Sequence, residues 1–151
     1  MFRYTEVDDK ITQLFIDVLE ESFPEYIQLN IKLLFDTKKR VNKGKLVLAS
    51  IEIPNEKVKF FTANSTVIDG YDYIMIVNYT TYELATDVDI KRIISHELQH
   101  IFIDESGNCK LVSHDVEDFQ EEIEKNADDP RWAIKLTTEV QAKYDEMKNG
   151  K

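Results

Sequence analysis

Cysteine is nearly absent from this chain of 151 residues. Because Cys109 is the only one, no disulfide can form within the chain, which excludes the small secreted proteins that disulfides hold together. A lone thiol is typical of a reducing compartment, so we expect a cytoplasmic protein. Cys109 stands beside Lys110 at a predicted turn, and we interpret it as an unreactive thiol rather than a metal ligand.

Glycine and proline are also scarce, with four and three residues, which argues against a low-complexity or disordered chain. Hydrophobic residues make up 42% of the sequence, and the length suits one compact domain over residues 1–151. No apolar run is long enough to span a bilayer, and no basic start leads into an apolar run. We therefore expect neither a membrane segment nor a signal peptide.

Positive charge is in short supply as well. Lysine and arginine total 19 against 29 aspartates and glutamates, which gives a net charge of −10. This charge repels a phosphate backbone, so general nucleic-acid binding is disfavoured. One basic stretch departs from the pattern, and its cations are Lys38, Lys39, Arg40, Lys43 and Lys45. We interpret it as a solvated hairpin turn, and a local contact with nucleic acid is the alternative.

Hydrophobic spacing predicts a helix, then strands, then further helices. Asp8 or Asp9 caps the first helix, whose apolar residues recur at helical spacing until Pro24 ends it. Alternating, β-branched and aromatic residues then predict strands over 26–35, 45–53, 58–63 and 71–79. The continuous apolar centre of the last strand indicates that both of its faces are covered.

The second half of the chain is predicted to be mainly helical. One helix begins near Asp87, capped by Asp87 or Asp89, and its apolar residues continue at helical spacing to Ile101. A turn at 107–108, an extended piece and an acidic helix over 115–126 follow. The last helix has Pro130 in its first turn and buries Trp132, Leu136, Val140 and Tyr144. This order predicts an α+β fold.

The strongest functional signal is Ser-His-Glu-Leu-Gln-His at residues 95–100. Residues four apart share a helix face with Cβ atoms about 5–6 Å apart, so His96 and His100 can bind one metal ion through their ring nitrogens. Glu97 can then take a proton from a metal-activated water. His-Glu-x-x-His is the pattern of zinc-dependent peptidases, and here it lies on a predicted helix that follows a strand. It predicts a zinc site with Glu97 as general base, rather than a polar helix face with two ordinary histidines.

A site of this kind needs a third protein ligand, which leaves the fourth position for water. The chain has three histidines, and His114 is the one outside the motif. We predict that His114 is the third ligand. The alternatives are Glu117, Glu121 and Glu122, on the acidic helix just beyond.

Two segments, IISHELQH and GNCKLVSHDVEDF, resemble the putative phage metallopeptidase family. The shared features are a His-Glu-Leu-x-His helix, a short turn and a His-Asp-Val-Glu-(Glu/Asp)-Phe segment, which here runs from His114 to Phe119. The upstream stretches KGKLVLASIEIPNEKVKFFT and YDYIMIV are similar too. The resemblance covers roughly residues 25–125, and the helix after Pro130 is not part of it.

The resemblance implies a small zincin-like fold, with a short mixed or antiparallel sheet packed on the active-site helix and with helices at both ends. It implies a protein or peptide substrate whose backbone pairs with an edge strand of the sheet. It also implies a phage or prophage origin and hence the cytoplasm of a bacterial host. In the more distantly similar SprT-like zincins, a histidine downstream of the motif helix completes the metal site, which supports His114.

A non-catalytic acidic protein is the alternative function. With a net charge of −10, the chain could mimic DNA and occupy a nucleic-acid-binding partner, and any zinc would then be structural.

Four further residues near the motif have either a structural or a functional interpretation. We expect Arg92 to form a surface salt bridge rather than stabilise an oxyanion, and Tyr79 and Tyr82 to pack rather than donate to the reacting group. We expect Asp115 to cap the acidic helix, a role that is compatible with orienting a ligand histidine.

Overall fold

The computed structural model describes residues 2–112 and 131–149. The helices in this part of the chain, α1 to α5, are Asp9–Ser22, Glu56–Thr62, Tyr79–Leu84, Asp87–Leu98 and Trp132–Asn149. The strands, β1 to β8, are Tyr4–Glu6, Ile31–Asp36, Val41–Asn42, Lys45–Leu46, Ala49–Glu52, Tyr73–Asn78, Ile101–Ile103 and Cys109–Leu111.

A mixed four-stranded sheet forms the centre of the fold, in the order β1-β2-β6-β5. Strands β2 and β6 are parallel, and the two outer strands pair antiparallel with them. In β6, the side chains of Tyr73, Met75 and Val77 are completely buried and Ile76 is nearly so, which confirms the prediction that both faces of this strand are covered. Strand β5 lies at the edge of the sheet and contacts α4.

The core lies between the sheet and the helices. Helices α1 and α4 pack on each other, and α5 packs on α3 and α4. Leu136 and Val140 of α5 are buried at a spacing of four, and Trp132 and Tyr144 pack against the same core, as the sequence predicts. Full burial of a large apolar side chain contributes about 1.5–3 kcal/mol to the free energy of unfolding. The α+β class and the N- and C-terminal helices are therefore confirmed.

Asn78 joins three elements at the end of β6. Its side-chain oxygen caps α3 by accepting from the backbone N–H and the hydroxyl of Thr81, at 2.8 and 2.9 Å. Its amide nitrogen donates to the Tyr144 hydroxyl of α5 at 2.7 Å. A buried amide with these partners fixes how the strand end and both helices meet.

The first strand predictions were too long. Asp8 caps α1 as predicted, but the chain after Pro24 forms a short 3-10 turn at Pro24–Tyr26, and β2 begins only at Ile31. The stretch 45–53 is interrupted, because β4 ends at Leu46 and pairs with β3, whereas β5 pairs with β6. The two strands are therefore distinguished by the strands with which they pair, and the apolar pattern of their side chains does not show the break.

The predicted strand at 58–63 is wrong, because residues Glu56–Thr62 form α2. The side chain of Asn55 accepts from the backbone N–H of Val58 at 2.9 Å and so forms the N-cap of this helix. The strand prediction gave more weight to the β-propensity of the aromatic residues than to this cap. Helix α3 was also missed. No helix in the described residues is long and apolar enough to cross a membrane.

The motif helix also differs from its prediction at both ends. Thr86, not Asp87 or Asp89, caps α4, since its hydroxyl accepts from the N–H of Asp89 at 3.1 Å. The helix ends at Leu98, and Ile101 belongs to β7, which pairs with β8 across the predicted turn at Gly107. The predicted acidic helix over 115–126 and the Pro130 cap lie outside the described residues.

Candidate metal centre

Helix α4 positions the first two residues of the motif. Ile90, Ile94 and Leu98 are almost completely buried against the core, so this helix has a fixed rotation about its axis. As a result His96 is half-buried and Glu97 is buried at the wall of a cleft.

His100 follows the end of this helix and is held by a second element. Its backbone N–H bonds to the carbonyl of Glu97 at 3.1 Å, which continues the helical turn. Its own carbonyl accepts from the N–H of Val112 at 2.8 Å, and its ring Nδ1 lies 2.6 Å from the Val112 carbonyl oxygen. Because a carbonyl only accepts, Nδ1 carries the proton in this bond, and the lone pair lies on Nε2. Metal-binding histidines are commonly oriented by a carbonyl in this way.

The three motif side chains form one cluster. The rings of His96 and His100 are 5.9 Å apart between centroids, at an interplanar angle of 74°. One ligand atom from each histidine and one carboxylate oxygen of Glu97 all lie within 4.8 Å of one another. Two nitrogens bound to one zinc ion at about 2.1 Å are at most about 4.2 Å apart, so small side-chain rotations bring such a pair into range. The donor set therefore fits a metal ion.

Glu97 is only 8% exposed. Burial raises the pKa of this carboxyl to about 8, because a charged carboxylate loses hydration away from water. A cation held by the two histidines would favour the ionised form and counter this rise.

The cluster opens into a cleft of about 1110 Å³. One side is formed by β5 and by the chain that leads into it from β4. Helix α5 forms another side with Trp132 and Ile134, and Leu111 and Val112 follow from the β7–β8 hairpin. The edge of a sheet and a buried carboxylate thus share one opening.

The other candidate residues lie elsewhere. Arg92 is 8% exposed, pairs with Asp89 at 3.1 Å and lies 5.9 Å from the ring centre of Trp132. The salt bridge is confirmed, although it is buried rather than on the surface. Tyr79 and Tyr82 pack against Phe35, as predicted.

Tyr82 also donates to both carboxylate oxygens of Asp8, at 2.8 and 2.9 Å. Cys109 is a free thiol in β8, and burial raises its pKa, which fits an unreactive group. It does not belong to the motif cluster found in the described residues.

Sequence reasoning missed the role of Val112, which acts through its backbone and therefore leaves no signal in a side chain. The glycine turn at 107–108 was the available sign that the chain returns towards the motif. His114, Asp115, Glu117, Glu121 and Glu122 lie outside the described residues, so the assignment of the third ligand stays a prediction.

A family model now adds to this geometry: the model for putative phage metallopeptidases matches residues 2–148. The chain belongs to the putative phage metallopeptidase family. Membership implies a metal cofactor and a hydrolase that acts on peptides, and it accords with a phage origin. No curated protein matches the chain at a significant level. The match includes the C-terminal helix, which the motif resemblance did not cover.

Proposed function

We propose that the chain is a zinc-dependent peptidase in which His96 and His100 hold the metal and Glu97 is the general base. The observation that carries the proposal is the cluster of these three side chains at the wall of a cleft that borders an edge strand. Membership in the putative phage metallopeptidase family favours this function over a non-catalytic DNA mimic.

His114 is our proposed third ligand. Val112 is hydrogen-bonded to His100, and covalent geometry keeps the Cα of a residue two positions later within about 7 Å of its own Cα. The rival glutamates at 117, 121 and 122 are five, nine and ten positions away, so the chain constrains them less. The imidazole set also leaves one position of a four-coordinate zinc for water.

Glu97 has the role of a proton carrier. When bound, zinc supplies Lewis acidity, which lowers the pKa of water towards about 7. The Glu97 carboxylate accepts the proton of the attacking water and donates it to the leaving amine of the cleaved peptide.

The substrate backbone is proposed to pair with the outer edge of β5, which no other described strand covers. Extended peptides add to sheet edges through main-chain hydrogen bonds, which are independent of sequence. The lone cysteine supports action in a reducing compartment, and with the family it favours the cytoplasm of a bacterial host.

Metal content tests the ligands. Purified wild type should bind about one zinc per chain, whereas His96→Ala and His100→Ala should each lose tight binding, because the remaining ligands compete poorly with chelators. His114→Ala should weaken zinc binding far more than Glu117→Ala. Plasma mass spectrometry after dialysis against a chelator measures this. Full zinc in a protein with both His96→Ala and His100→Ala would contradict the site.

Cleavage of an unstructured casein chain tests the base. Glu97→Gln keeps the shape of the side chain and removes only its basicity, so zinc content should persist while the rate falls by about 10²–10⁴. Glu83→Gln is the matched control, since Glu83 is exposed on α3. Near-full cleavage by Glu97→Gln would exclude Glu97 as the base.

A further inference from the structure

Charge is distributed very unevenly along this acidic chain. Residues 37–51 contain five lysines and arginines and no acidic residue, so all 29 aspartates and glutamates lie outside this stretch. The stretch runs from the end of β2 through the β3–β4 hairpin into β5, and its second half lines the cleft.

The hairpin has a defined shape that places two of the five cations at the cleft. Lys43 and Gly44, at its tip, have φ of 52° and 77°, as a tight two-residue hairpin turn requires. The N–H of Val47 bonds to the carbonyl of Arg40 at 2.9 Å, which closes the hairpin behind the turn. Arg40 and Lys45 line the same cleft as His96. The hairpin is therefore a rim of the candidate site and not only a solvated turn.

Arg40 is placed to receive an acidic group. Its Nη1 donates to the hydroxyl of Ser50 on β5 at 3.1 Å, which sets the guanidinium over the edge strand. Asp36, the last acidic residue before the hairpin, is held by Nε and Nη2 of Arg3, both at 2.8 Å. In the described part of the chain, neither Arg40 nor Lys45 forms a salt bridge. The remaining N–H donors of Arg40 suit a carboxylate.

The rest of the cleft wall is mainly apolar. Its apolar side chains include Leu48, Ile51, Ile93, Trp132 and Ile134. A nucleic acid that reached the hairpin would meet this wall and the acidic remainder of the molecule, both unfavourable for a phosphate backbone. An extended peptide with carboxylates at one end and apolar side chains along β5 matches both features.

We propose that this cleft selects peptide segments that carry acidic side chains next to apolar ones, with Arg40 and Lys45 binding the acidic end. The inference rests on the proposed peptidase function and names the substrate class of that site. Cations at an exposed rim act on specificity and association rate more than on total affinity.

Binding to the zinc-loaded Glu97→Gln protein tests the inference without hydrolysis. The probes are fluorescein-labelled peptides Asp-Asp-Leu-Ala-Leu-Ala-Leu and its reverse, their Asn-Asn counterparts, and a ten-nucleotide oligothymidine. Of the two Asp-Asp peptides, the one whose chain direction binds more tightly should exceed its own Asn-Asn counterpart in affinity by at least about fivefold. Added salt should weaken this preference.

Arg40→Gln and Lys45→Gln, each added to the Glu97→Gln protein, should weaken binding of the Asp-Asp peptide by about three- to fivefold. Neither change should alter the affinity for the Asn-Asn peptide. Lys57→Gln, an exposed lysine of α2 outside the cleft, is the matched control and should change neither. Equal binding of both peptides, no binding of either, or no effect of Arg40→Gln would overturn the inference.

The oligothymidine tests whether the cleft binds a nucleic acid rather than an acidic peptide. Binding tighter than that of the Asp-Asp peptide, and lost in Arg40→Gln, would assign the rim to nucleic acid and overturn the inference. Failure of the peptidase proposal has a different signature: zinc-loaded wild type would bind the Asp-Asp peptide through Arg40 and leave it uncut. The selectivity of the cleft would then stand as a binding property alone.

Discussion

His100 shows at the scale of one residue how a backbone contact can orient a candidate ligand. The carbonyl of Val112 fixes the proton on Nδ1, so the opposite nitrogen of the ring keeps its lone pair. A histidine on a free helix face has no such preference. The bond to Val112 therefore gives the ring of His100 the orientation that the proposed zinc ligand needs.

Gly70 gives a residue-scale prediction, because its backbone is left-handed and closely packed. Its φ is 78°, and a Cβ there would overlap the backbone carbonyl of Lys59 and lie 2.7 Å from its Cα. Gly70→Ala should lower the free energy of unfolding by about 3 kcal/mol or more, since it combines conformational strain with a backbone clash.

Gly44 is the matched control for this change. Its φ is 77°, but a Cβ there would have nothing within 4 Å. Gly44→Ala should therefore lose only about 1–2 kcal/mol, the cost of the left-handed conformation. Urea unfolding of both variants gives the comparison, and equal losses would show that the contact with Lys59 does not matter.

The motif helix and the hairpin after it act together at the scale of the element. Helix α4 supplies His96 and Glu97, and the β7–β8 hairpin returns the chain to His100. The hydroxyl of Tyr26 donates to the carbonyl of Ile101 at 3.2 Å, and that of Tyr73 to the carbonyl of Lys110 at 2.9 Å. Both strands of the hairpin are thus anchored to the rest of the fold. The candidate metal centre therefore lies where two elements meet.

The cap of α4 gives the prediction at this scale. Thr86→Ala removes the hydroxyl that accepts from the N–H of Asp89, and loss of such a cap costs about 1 kcal/mol. Asp87→Asn should cost less than Thr86→Ala, since the salt bridge that Asp87 forms with Lys10 is exposed. Thermal unfolding measures both, and a larger loss for Asp87→Asn would mean that Asp87 caps the helix.

At the scale of the whole molecule, a charged pair links the N-terminal strand to the sheet. Arg3 precedes β1 and binds Asp36, which ends β2 and is 4% exposed. Burial alone would raise the pKa of Asp36. The hydrogen bond from Arg3, the N–H of Lys38 and the charges of Arg3 and Arg40 outweigh burial and hold this pKa below its ordinary value.

A lowered pKa of Asp36 means that its ionised form stabilises the fold above the unfolded pKa of about 4 and that this contribution is lost as pH falls below that value. Asp36→Asn should therefore unfold at lower urea than wild type at pH 7, and the difference should shrink at pH 3. Asp69→Asn, an exposed control, should change neither midpoint. A constant difference across this pH range would contradict the role of ionised Asp36.

Elements whose residues carry a complete local pattern were predictable from the sequence. The helical repeat of α1, the apolar centre of β6 and the steps of four in α5 each reflect burial along a single element. The spacing of His96 and His100 follows helix geometry for one turn past Leu98, because the N–H of His100 still bonds to the carbonyl of Glu97, so the candidate metal pair was predictable.

Contacts between distant residues set the remaining features. The motif helix stopped at Leu98 because Ile101 pairs with Leu111. The helix at Glu56–Thr62 is a different case, because its cap at Asn55 is a local signal that the strand prediction did not use. The Val112 carbonyl, the burial of Glu97 and the basic rim beside β5 arise only when separate segments meet. Local propensity does not encode such contacts, because their energy depends on which partner the fold brings near.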